Sequence, residues 1–352
     1  MSRDTGTDDP RVRVRPGRGS RPRTKVRPDW SERPLGRVVS IDRGRYGVVT
    51  GGDVRLQAVR ARELGRGSVV MGDRVRLTGD LSGRPDTLAR IVRVEERTTV
   101  LRRSLEDAPG ERGEKVIVAN AEVMVIVVAL ADPPPRTGMV DRCLVAAYEA
   151  GLEPVLCLTK ADLADPTPFT AQYRDFDLRV VATSWHDGEG TGVEELAGIL
   201  RGRFSVMVGH SGVGKSTLIN ELVPGADRAT GVVNAVTGRG RHTSTSAEAF
   251  ELPGGGWVVD TPGVRSFGLG HVQPSDVLAV FPDVAEAATW CLPMCTHLAG
   301  EPSCALDVWA QGRTPFEPVD AEEAVRRASR VASVRRLLEG LAVAEAAVRA
   351  AR

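Results

Sequence analysis

The chain has 352 residues, 41% of them hydrophobic and 26% charged, and a formal net charge of +1. This composition is that of a globular protein with room for two or three domains. The longest apolar run, residues 123–131, is too short to cross a bilayer, and the N-terminus lacks the apolar segment of a signal peptide. Five cysteines, an odd number, favour a reducing compartment. A cytoplasmic protein without membrane contact is therefore expected.

Residues 1–33 are predicted to be a disordered basic tail. Residues 11–27 contain eight basic residues and no acid. Such a segment buries too little apolar surface to offset the entropy lost on ordering. Two interpretations stay open at this point, an arm that binds RNA and a solvated tail.

Residues 34–97 are predicted to form a small β-barrel of the OB type, although an SH3-like barrel would give nearly the same pattern. The predicted strands are 37–41, 46–50, 54–59, 74–78 and 89–94. Tyr46 is essentially the sole aromatic residue here that could stack on a base. The barrel is therefore expected to recognise the shape and the phosphates of RNA rather than the sequence of its bases.

Residues 98–273 are predicted to form an α/β domain with a mainly parallel sheet. A polar connector is expected over 97–115. Strands are predicted at 123–130, 154–158, 179–182, 204–208, 248–252 and 257–259, and helices at 140–150, 193–200 and 217–222. Several of these strands end in polar loops, where such sheets bind ligands.

A phosphate-binding loop follows the strand at 204–208. It consists of Gly209, His210, Ser211, Gly212, Val213, Gly214, Lys215 and Ser216, with Thr217 next in the helix. The glycines let backbone N–H groups surround a phosphate, Lys215 can reach the β- and γ-oxygens, and the Ser216 hydroxyl suits Mg²⁺. The helix directs its positive N-terminus at the same anion. This segment therefore predicts a nucleotide site, with Lys215 as a catalytic residue.

Two further motifs predict that the base is guanine. Thr159, Lys160 and Asp162 end the strand at 154–158. The Asp162 carboxylate can accept hydrogen bonds from the ring N–H and the exocyclic amine of guanine, a donor pair that adenine lacks, while the Lys160 stem packs on the base. The next strand ends in Ala182, Thr183 and Ser184, where a backbone N–H can bind the guanine carbonyl oxygen. A plain surface loop is the alternative for either motif alone.

The γ-phosphate is expected to contact segments later in the chain. Asp260 is expected to help hold Mg²⁺, and the Gly263 N–H is expected to donate a hydrogen bond to the γ-phosphate. The loop at 238–245 offers Thr243 or Thr245 to complete the Mg²⁺ coordination, with Thr245 preferred. Such a loop orders on the nucleoside triphosphate and relaxes after hydrolysis.

The order of the motifs predicts a circular permutation. In an ordinary GTPase the phosphate loop comes first and the guanine motifs last, whereas here both guanine motifs precede the phosphate loop. The chain ends of the domain are therefore moved to the loop before residue 123 and to the segment after Gly263. The loop that begins at Asp260 then leads directly into the C-terminal part.

Residues 274–352 are predicted to form a zinc-binding helical domain. Cys291, Cys295, His297 and Cys304 supply three thiolates and an imidazole for a closed, structural Zn²⁺ site, against free buried thiols as the alternative. Cys143 and Cys157 are read as core. A helix is expected over 321–352 with an apolar stripe that begins at Val325. Its arginines (Arg326, Arg327, Arg330, Arg335 and Arg336) are expected on a solvated face, with RNA contact as the alternative.

With these motifs the chain resembles the RsgA family, also called YjeQ or EngC, of circularly permuted GTPases. The resemblance implies a multidomain α/β protein with an N-terminal OB-fold barrel, a permuted P-loop GTPase domain and a C-terminal zinc domain. It also implies GTP hydrolysis with Mg²⁺ that is stimulated by the small (30S) ribosomal subunit, contact with its rRNA, and release of late assembly factors. A monomer that does not bind DNA is expected. The family pattern has four residues in the first cysteine gap and five in the last, whereas this chain has three and six.

The residue after Gly263 bears on catalysis. Many GTPases carry a water-orienting Gln there, but this chain has Val264, so slow intrinsic turnover is expected. The resemblance implies His242 of the loop at 238–245 as the replacement, against a solvated His. An RNA-binding guanine-nucleotide switch with negligible turnover is therefore the alternative function. A P-loop ATPase lacks any adenine signature here.

Overall fold

The structure is a computed structural model that describes residues 29–65, 67–104, 114–174, 176, 178–186, 189–226, 247–261 and 272–350. Its strands are β1 (Leu35–Asp42), β2 (Arg45–Thr50), β3 (Arg55–Arg60), β4 (Arg74–Gly79), β5 (Ala89–Val94), β6 (Val100–Ser104), β7 (Glu114–Ala119), β8 (Val123–Ala129), β9 (Glu153–Thr159), β10 (Arg179–Ala182), β11 (Ser184–His186), β12 (Glu189–Thr191), β13 (Phe204–Val208), β14 (Ala247–Glu251) and β15 (Trp257–Asp260). Its helices are α1 (Thr137–Glu149), α2 (Thr167–Thr170), α3 (Val193–Leu200), α4 (Lys215–Leu222), α5 (Pro274–Ala279), α6 (Pro282–Ala288), α7 (Ala305–Ala310) and α8 (Ala321–Ala350), with a 3₁₀ turn at Ala171–Tyr173.

Strands β1 to β5 form a closed barrel. Their order is β1-β2-β3-β5-β4, β4 returns to pair with β1, and β3 and β5 run parallel. Alternate residues fill the interior, among them Val38, Val75 and Ile91, each 0% exposed. The predicted OB-type barrel is confirmed. Tyr46 is 4% exposed and belongs to this core, so its ring is not available for stacking on a base.

In the α/β part the strands have the order β10-β9-β8-β13-β15-β14, in which the first five strands are parallel and β14 is antiparallel. β8 is buried along its whole length. Its residues alternate between two cores, with Ile126 in the core that contains α1 and Val125 in the core that contains α3 and α4. The predicted mainly parallel α/β domain is confirmed.

The segment expected as a polar connector contains a hairpin instead. β6 and β7 pair antiparallel, with Leu101 opposite Val118. These two side chains are 2% and 1% exposed and belong to the same core as α1. The expectation was wrong because the charged residues that surround these short apolar stretches hide their alternation.

The barrel and the parallel sheet are joined by hydrogen bonds. β14 pairs with β1, with Ser40 opposite Glu248, so that one eleven-stranded sheet runs through both parts. A second contact places Gly72, at φ +82°, so close to β7 that an added Cβ would lie 2.0 Å from the Ala119 carbonyl oxygen. The strand that follows residues 227–246, β14, is therefore the one that joins the α/β part to the barrel.

Helix α8 confirms the predicted C-terminal helix, but Val325, the predicted start of its apolar stripe, is 62% exposed. Arg326 is exposed as expected, whereas three other arginines of the helix are not on a solvated face. Arg330 pairs with Asp283 at 2.7 Å, and Arg335 binds both carboxylate oxygens of Asp307. Arg336 binds both oxygens of Asp141 in α1, at 3.0 and 3.2 Å. These cations hold α8 against its neighbours, because each faces an acid on another element.

Candidate nucleotide site and metal centre

The predicted nucleotide motifs meet at one edge of the parallel sheet. β8, β9, β10, β13 and β15 all point their carboxyl ends toward this edge. The phosphate loop follows β13, Thr159 ends β9 with residues 160–162 after it, and Asp260 ends β15. Because parallel strands end together, segments far apart in the chain become neighbours here.

Glycine is required at two positions of the phosphate loop. A Cβ on Gly209 would lie 2.4 Å from the carbonyl oxygen of Val127 in β8, which is closer than real contacts allow. Gly214 has φ +91° and precedes the first turn of α4, so it adopts a backbone conformation that other residues rarely take. Ser216 and Thr217 are half-buried at the start of α4. The loop can thus turn tightly between β13 and α4 with its N–H groups at the sheet edge.

Lys215 folds back over the phosphate loop. Its Nζ donates hydrogen bonds to the carbonyl oxygens of Gly209 at 2.5 Å and His210 at 2.6 Å. Burial lowers the pKa of Lys215, and the charge of Asp260 opposes that shift. The ammonium therefore occupies the space enclosed by the loop, and a phosphate would compete with these two carbonyls for it.

Asp260 is held beside the phosphate loop by the sheet itself. It is 5% exposed and lies opposite Met207 of β13 in the parallel ladder. The next residue, Thr261, donates its hydroxyl to the Met207 carbonyl oxygen at 2.9 Å. The carboxylate and the Lys215 ammonium are therefore charges of opposite sign in one buried corner, where attraction is stronger than in water.

The two predicted guanine motifs are hydrogen-bonded to each other and to the predicted phosphate loop. The Ala161 N–H donates to the Thr183 carbonyl oxygen at 3.1 Å, and the Thr183 N–H donates to Leu158 at 2.7 Å. The buried hydroxyl of Thr159 donates to the carbonyl oxygen of Val213 in the phosphate loop at 2.6 Å. One network therefore sets the position of both motifs relative to the loop.

A cavity of about 360 Å³ opens between these segments. It is lined by Thr159, Lys160, Asp162, Leu163, Thr183, Ser184, Trp185, Val193, Gly214, Thr217, Leu218 and Glu221. The Asp162 carboxylate is exposed, and the Lys160 ammonium donates to the carbonyl oxygen of Asp132, so that the lysine stem borders the cavity. Sequence reasoning missed five of these lining residues, namely Leu163, Trp185, Val193, Leu218 and Glu221. Some of them adjoin predicted site residues in the chain, but none of the five belongs to a phosphate or guanine motif.

Other predicted residues have a less direct relation to that cavity. His210 and Ser211 border a second cavity, with Arg136 and Met139. Burial, followed by the charges of Arg136 and Lys215, lowers the pKa of His210. Gly212, at φ +82°, lies on the same loop. His242, Thr243, Thr245, Gly263 and Val264 lie outside the described residues.

Cys291, Cys295, His297 and Cys304 converge in the C-terminal part. The Nδ1 of His297 lies 3.4, 3.5 and 3.9 Å from the three sulfurs, and two sulfurs are 4.0 Å apart. A tetrahedral Zn²⁺ with bonds of about 2.3 Å to sulfur and about 2.0 Å to nitrogen separates S from N by about 3.5 Å and S from S by about 3.8 Å. The four ligand atoms therefore fit one zinc ion, and all lie within 4.8 Å of one another.

Neighbouring groups orient this cluster. Arg335 of α8 donates to the carbonyl oxygen of His297 at 3.1 Å while it holds Asp307 of α7. The Ala305 N–H lies 3.3 Å from the sulfur of Cys291 and donates to it. Such surrounding hydrogen bonds fix ligand orientation around a metal. The two remaining cysteines are buried as predicted, at 1% exposure for Cys143 and 0% for Cys157.

Within the part of the chain that the structure describes, no helix is both long and apolar enough to cross a membrane.

Comparisons with known sequences identify relatives over much of the chain. The RsgA GTPase family model matches residues 94–270. A small ribosomal subunit biogenesis GTPase RsgA from Pseudomonas syringae pv. tomato is 41% identical over 247 residues, which are 68% of each chain. Its counterpart from Pseudomonas fluorescens (strain SBW25) is 44% identical over 218 residues, 60% of this chain. That match spans 61% of the relative, less than two thirds of its length.

Two solved structures share the fold. YjeQ from Thermotoga maritima has a TM-score of 0.59 and 25% identity, and the match covers 86% of this chain and 98% of that one. YloQ, described as a circularly permuted GTPase, has a TM-score of 0.57 and 21% identity, and covers 86% and 95%. The predicted permutation agrees with this fold, since both guanine motifs precede the phosphate loop on one sheet edge. The chain is a member of the RsgA GTPase family.

Proposed function

We propose that this chain is a Mg²⁺-dependent GTPase that binds the small ribosomal subunit and is stimulated by it late in subunit assembly. One observation carries the proposal. The cavity beside Asp162 is also lined by Gly214 and Thr217, so that one ligand can contact the guanine motifs and the phosphate loop together. The relatives named as small ribosomal subunit biogenesis GTPases support this substrate and this partner.

Guanine is selected by groups at the ends of two adjacent strands. Asp162 accepts hydrogen bonds from the base N–H and amine, and a backbone N–H in the segment 182–184 donates to its carbonyl oxygen. Lys160 packs its stem on the base, because its ammonium is held at Asp132. Thr159 fixes the distance from this pocket to the phosphate loop through its bond to Val213.

The phosphates lie on the loop 209–214 and the first turn of α4. Lys215 moves from the loop carbonyls to the β- and γ-oxygens, an exchange of neutral for charged acceptors that favours binding. Ser216, Thr245 and Asp260 would hold Mg²⁺, which neutralises phosphate charge when bound. Because Asp260 and Thr261 are tied to β13 through the sheet, their position relative to the loop is preset.

The water-positioning group is His242, supplied by the loop at 238–245. Val264 cannot orient water, so turnover by the chain alone is slow, and the small subunit acts by ordering the His242 loop. β14, the next described strand in the chain, pairs with the barrel, which is the part proposed to contact RNA.

The remaining parts serve RNA contact and stability. We propose bounds of 1–33 for a basic tail, 34–97 for the OB barrel, 98–273 for the GTPase domain and 274–352 for the zinc and helical domain. Zn²⁺ at the Cys₃His cluster is structural, because three sulfurs and an imidazole fill a tetrahedron. The protein is a cytoplasmic monomer in this proposal, and it contacts rRNA.

The test is GTP turnover with and without purified small subunits, on wild type and His242→Ala. Stimulation of wild type is expected, with at least about 10²-fold less for His242→Ala if that side chain positions the water. GDP affinity should be unchanged in the variant. Binding of guanine nucleotide without any stimulation would instead support the second function, an RNA-binding nucleotide switch, which the Val264 replacement favours. Equal hydrolysis of ATP would refute the guanine assignment.

A further inference from the structure

The candidate base cavity contains a large aromatic side chain that no nucleotide motif supplies. Trp185 follows Ser184 at the end of the second guanine motif. Its side chain lines the same cavity as Lys160 and Asp162, and it is 38% exposed. A tryptophan buries most of its ring in ordinary packing, so one that is partly exposed beside a ligand cavity calls for a function.

The hairpin β11–β12 holds this ring in a defined place. Trp185 lies opposite Gly190 in the antiparallel ladder. A Cβ on Gly190 would lie 2.5 Å from the ring and 3.1 Å from the Val193 side chain. The indole therefore packs against the bare backbone of Gly190 beside Val193. A further bond of 2.7 Å between the hydroxyls of Ser184 and Thr191 closes the hairpin.

The position of the ring relative to the candidate base groups matters for recognition. Lys160 borders the cavity from the loop after β9, whereas Trp185 borders it from the hairpin after β10. The two loops are tied by the hydrogen bond from the Ala161 N–H to Thr183. A planar base in this cavity therefore has an aliphatic stem and an indole on its borders, and an aromatic ring adds favourable contact with any base.

We propose that Trp185 is a second base-recognition residue, whose indole packs against the purine of the bound nucleotide and sets its affinity. This inference rests on the proposed function, because it assumes that the cavity beside Asp162 holds a guanine base. The two residues then divide the task. Asp162 reads the hydrogen-bonding edge of guanine, and Trp185 contributes contact that does not depend on which purine is present.

The proposal is tested by binding of GDP with Mg²⁺, measured by calorimetry and by tryptophan emission on the full chain. In the wild type, emission should change on binding. Trp185→Leu should lose that change and bind GDP about 10-fold more weakly, since base–aromatic stacking contributes about 1–3 kcal/mol. Trp185→Phe should lose the emission change but keep an affinity within about threefold, because a ring remains.

Trp290→Ala is the matched control. Trp290 is also exposed, at 61%, but it packs edge-on against Phe316 next to the cysteine cluster and does not line the base cavity. Its removal should leave GDP affinity and the emission change intact. Trp185→Leu should also weaken the binding of GDP and of XDP by the same factor, whereas a substitution at Asp162 should change the preference of the chain between the two nucleotides.

Wild-type affinity in Trp185→Leu, or an emission change that persists in Trp185→Phe, would overturn the role of Trp185 and leave the proposed GTPase intact. A wild-type chain that binds no GDP by calorimetry would overturn both. Equal weakening in Trp185→Leu and Trp185→Phe would also count against stacking, because it would point to a specific requirement for the indole in the hairpin.

Discussion

Replacing Arg336 by Met tests how α8 is held to the GTPase domain. The guanidinium binds both oxygens of Asp141 at 3.0 and 3.2 Å and lies 5.1 Å from the centre of the Tyr173 ring. The side chain of Asp141 is 9% exposed and that of Arg336 is 32% exposed. Removal of the cation leaves a nearly buried carboxylate without its main counter-charge.

The expected loss in the free energy of unfolding follows from the burial of this ion pair. Breaking a fully buried pair costs about 3–5 kcal/mol, but the partial exposure of Arg336 lets water screen the remaining charge. We therefore expect a loss of about 2–3 kcal/mol in the free energy of unfolding and a melting temperature lower by about 3–5 °C. The double variant Asp141→Asn with Arg336→Met should recover most of the loss, because it leaves no unpaired charge.

The loss should also depend on pH. Burial raises the folded-state pKa of Asp141, and Arg336 opposes that shift. A carboxyl whose pKa is higher in the folded state than in the unfolded state stabilises the fold at pH values below its unfolded pKa. That stability is lost as pH rises through the folded pKa. Without Arg336 that pKa rises further, so the variant should be destabilised more at pH 8 than at pH 5.

Thermal unfolding followed by circular dichroism at the two pH values measures both effects. Arg326→Met is the control, because Arg326 lies on the same helix but makes an exposed pair with Glu323 three residues away. That variant should melt like the wild type. If Arg336→Met also melts like the wild type, or if its loss is the same at pH 5 and pH 8, the assignment of a buried charge pair is wrong.

Three further predictions concern the sites. Thr159→Val, which removes the hydroxyl bound to Val213 at 2.6 Å, should weaken GDP binding by about 10-fold while Thr159→Ser does not, since a broken buried bond costs about 1–3 kcal/mol; equal affinities would refute the link. Asp162→Asn should shift preference from GDP to XDP in competition binding, because an amide can donate to the extra carbonyl of xanthine, and an unchanged preference would contradict the guanine pocket. Chelation should release about one zinc per chain and make the three clustered thiols reactive. Cys143 and Cys157 should stay inert until unfolding, because burial raises the pKa of each to about 12, and rapid labelling of all five before chelation would argue against the metal site.

The sequence alone determined the features whose chemistry lies within short segments. Three such features are the phosphate loop from Gly209, the residues 159–162 and the cysteine cluster. In each, the residues that bind the ligand lie at a characteristic spacing in the sequence, so the spacing is sufficient to find them. Their order along the chain was sufficient to predict the permutation. The strands of the sheet were likewise visible, because buried parallel strands are continuous apolar runs.

The tertiary structure alone decided which distant residues meet. Three contacts join segments that lie far apart in the sequence, where no hydrophobic periodicity links them. They are the pairing of β14 with β1, the hydrogen bond from Thr159 to Val213 and the ion pair between Arg336 and Asp141. Trp185 lines the candidate base cavity from a hairpin in which it packs on Gly190 of the opposite strand. Contacts of this kind depend on strand register and helix packing, which arise from the whole core rather than from any local pattern.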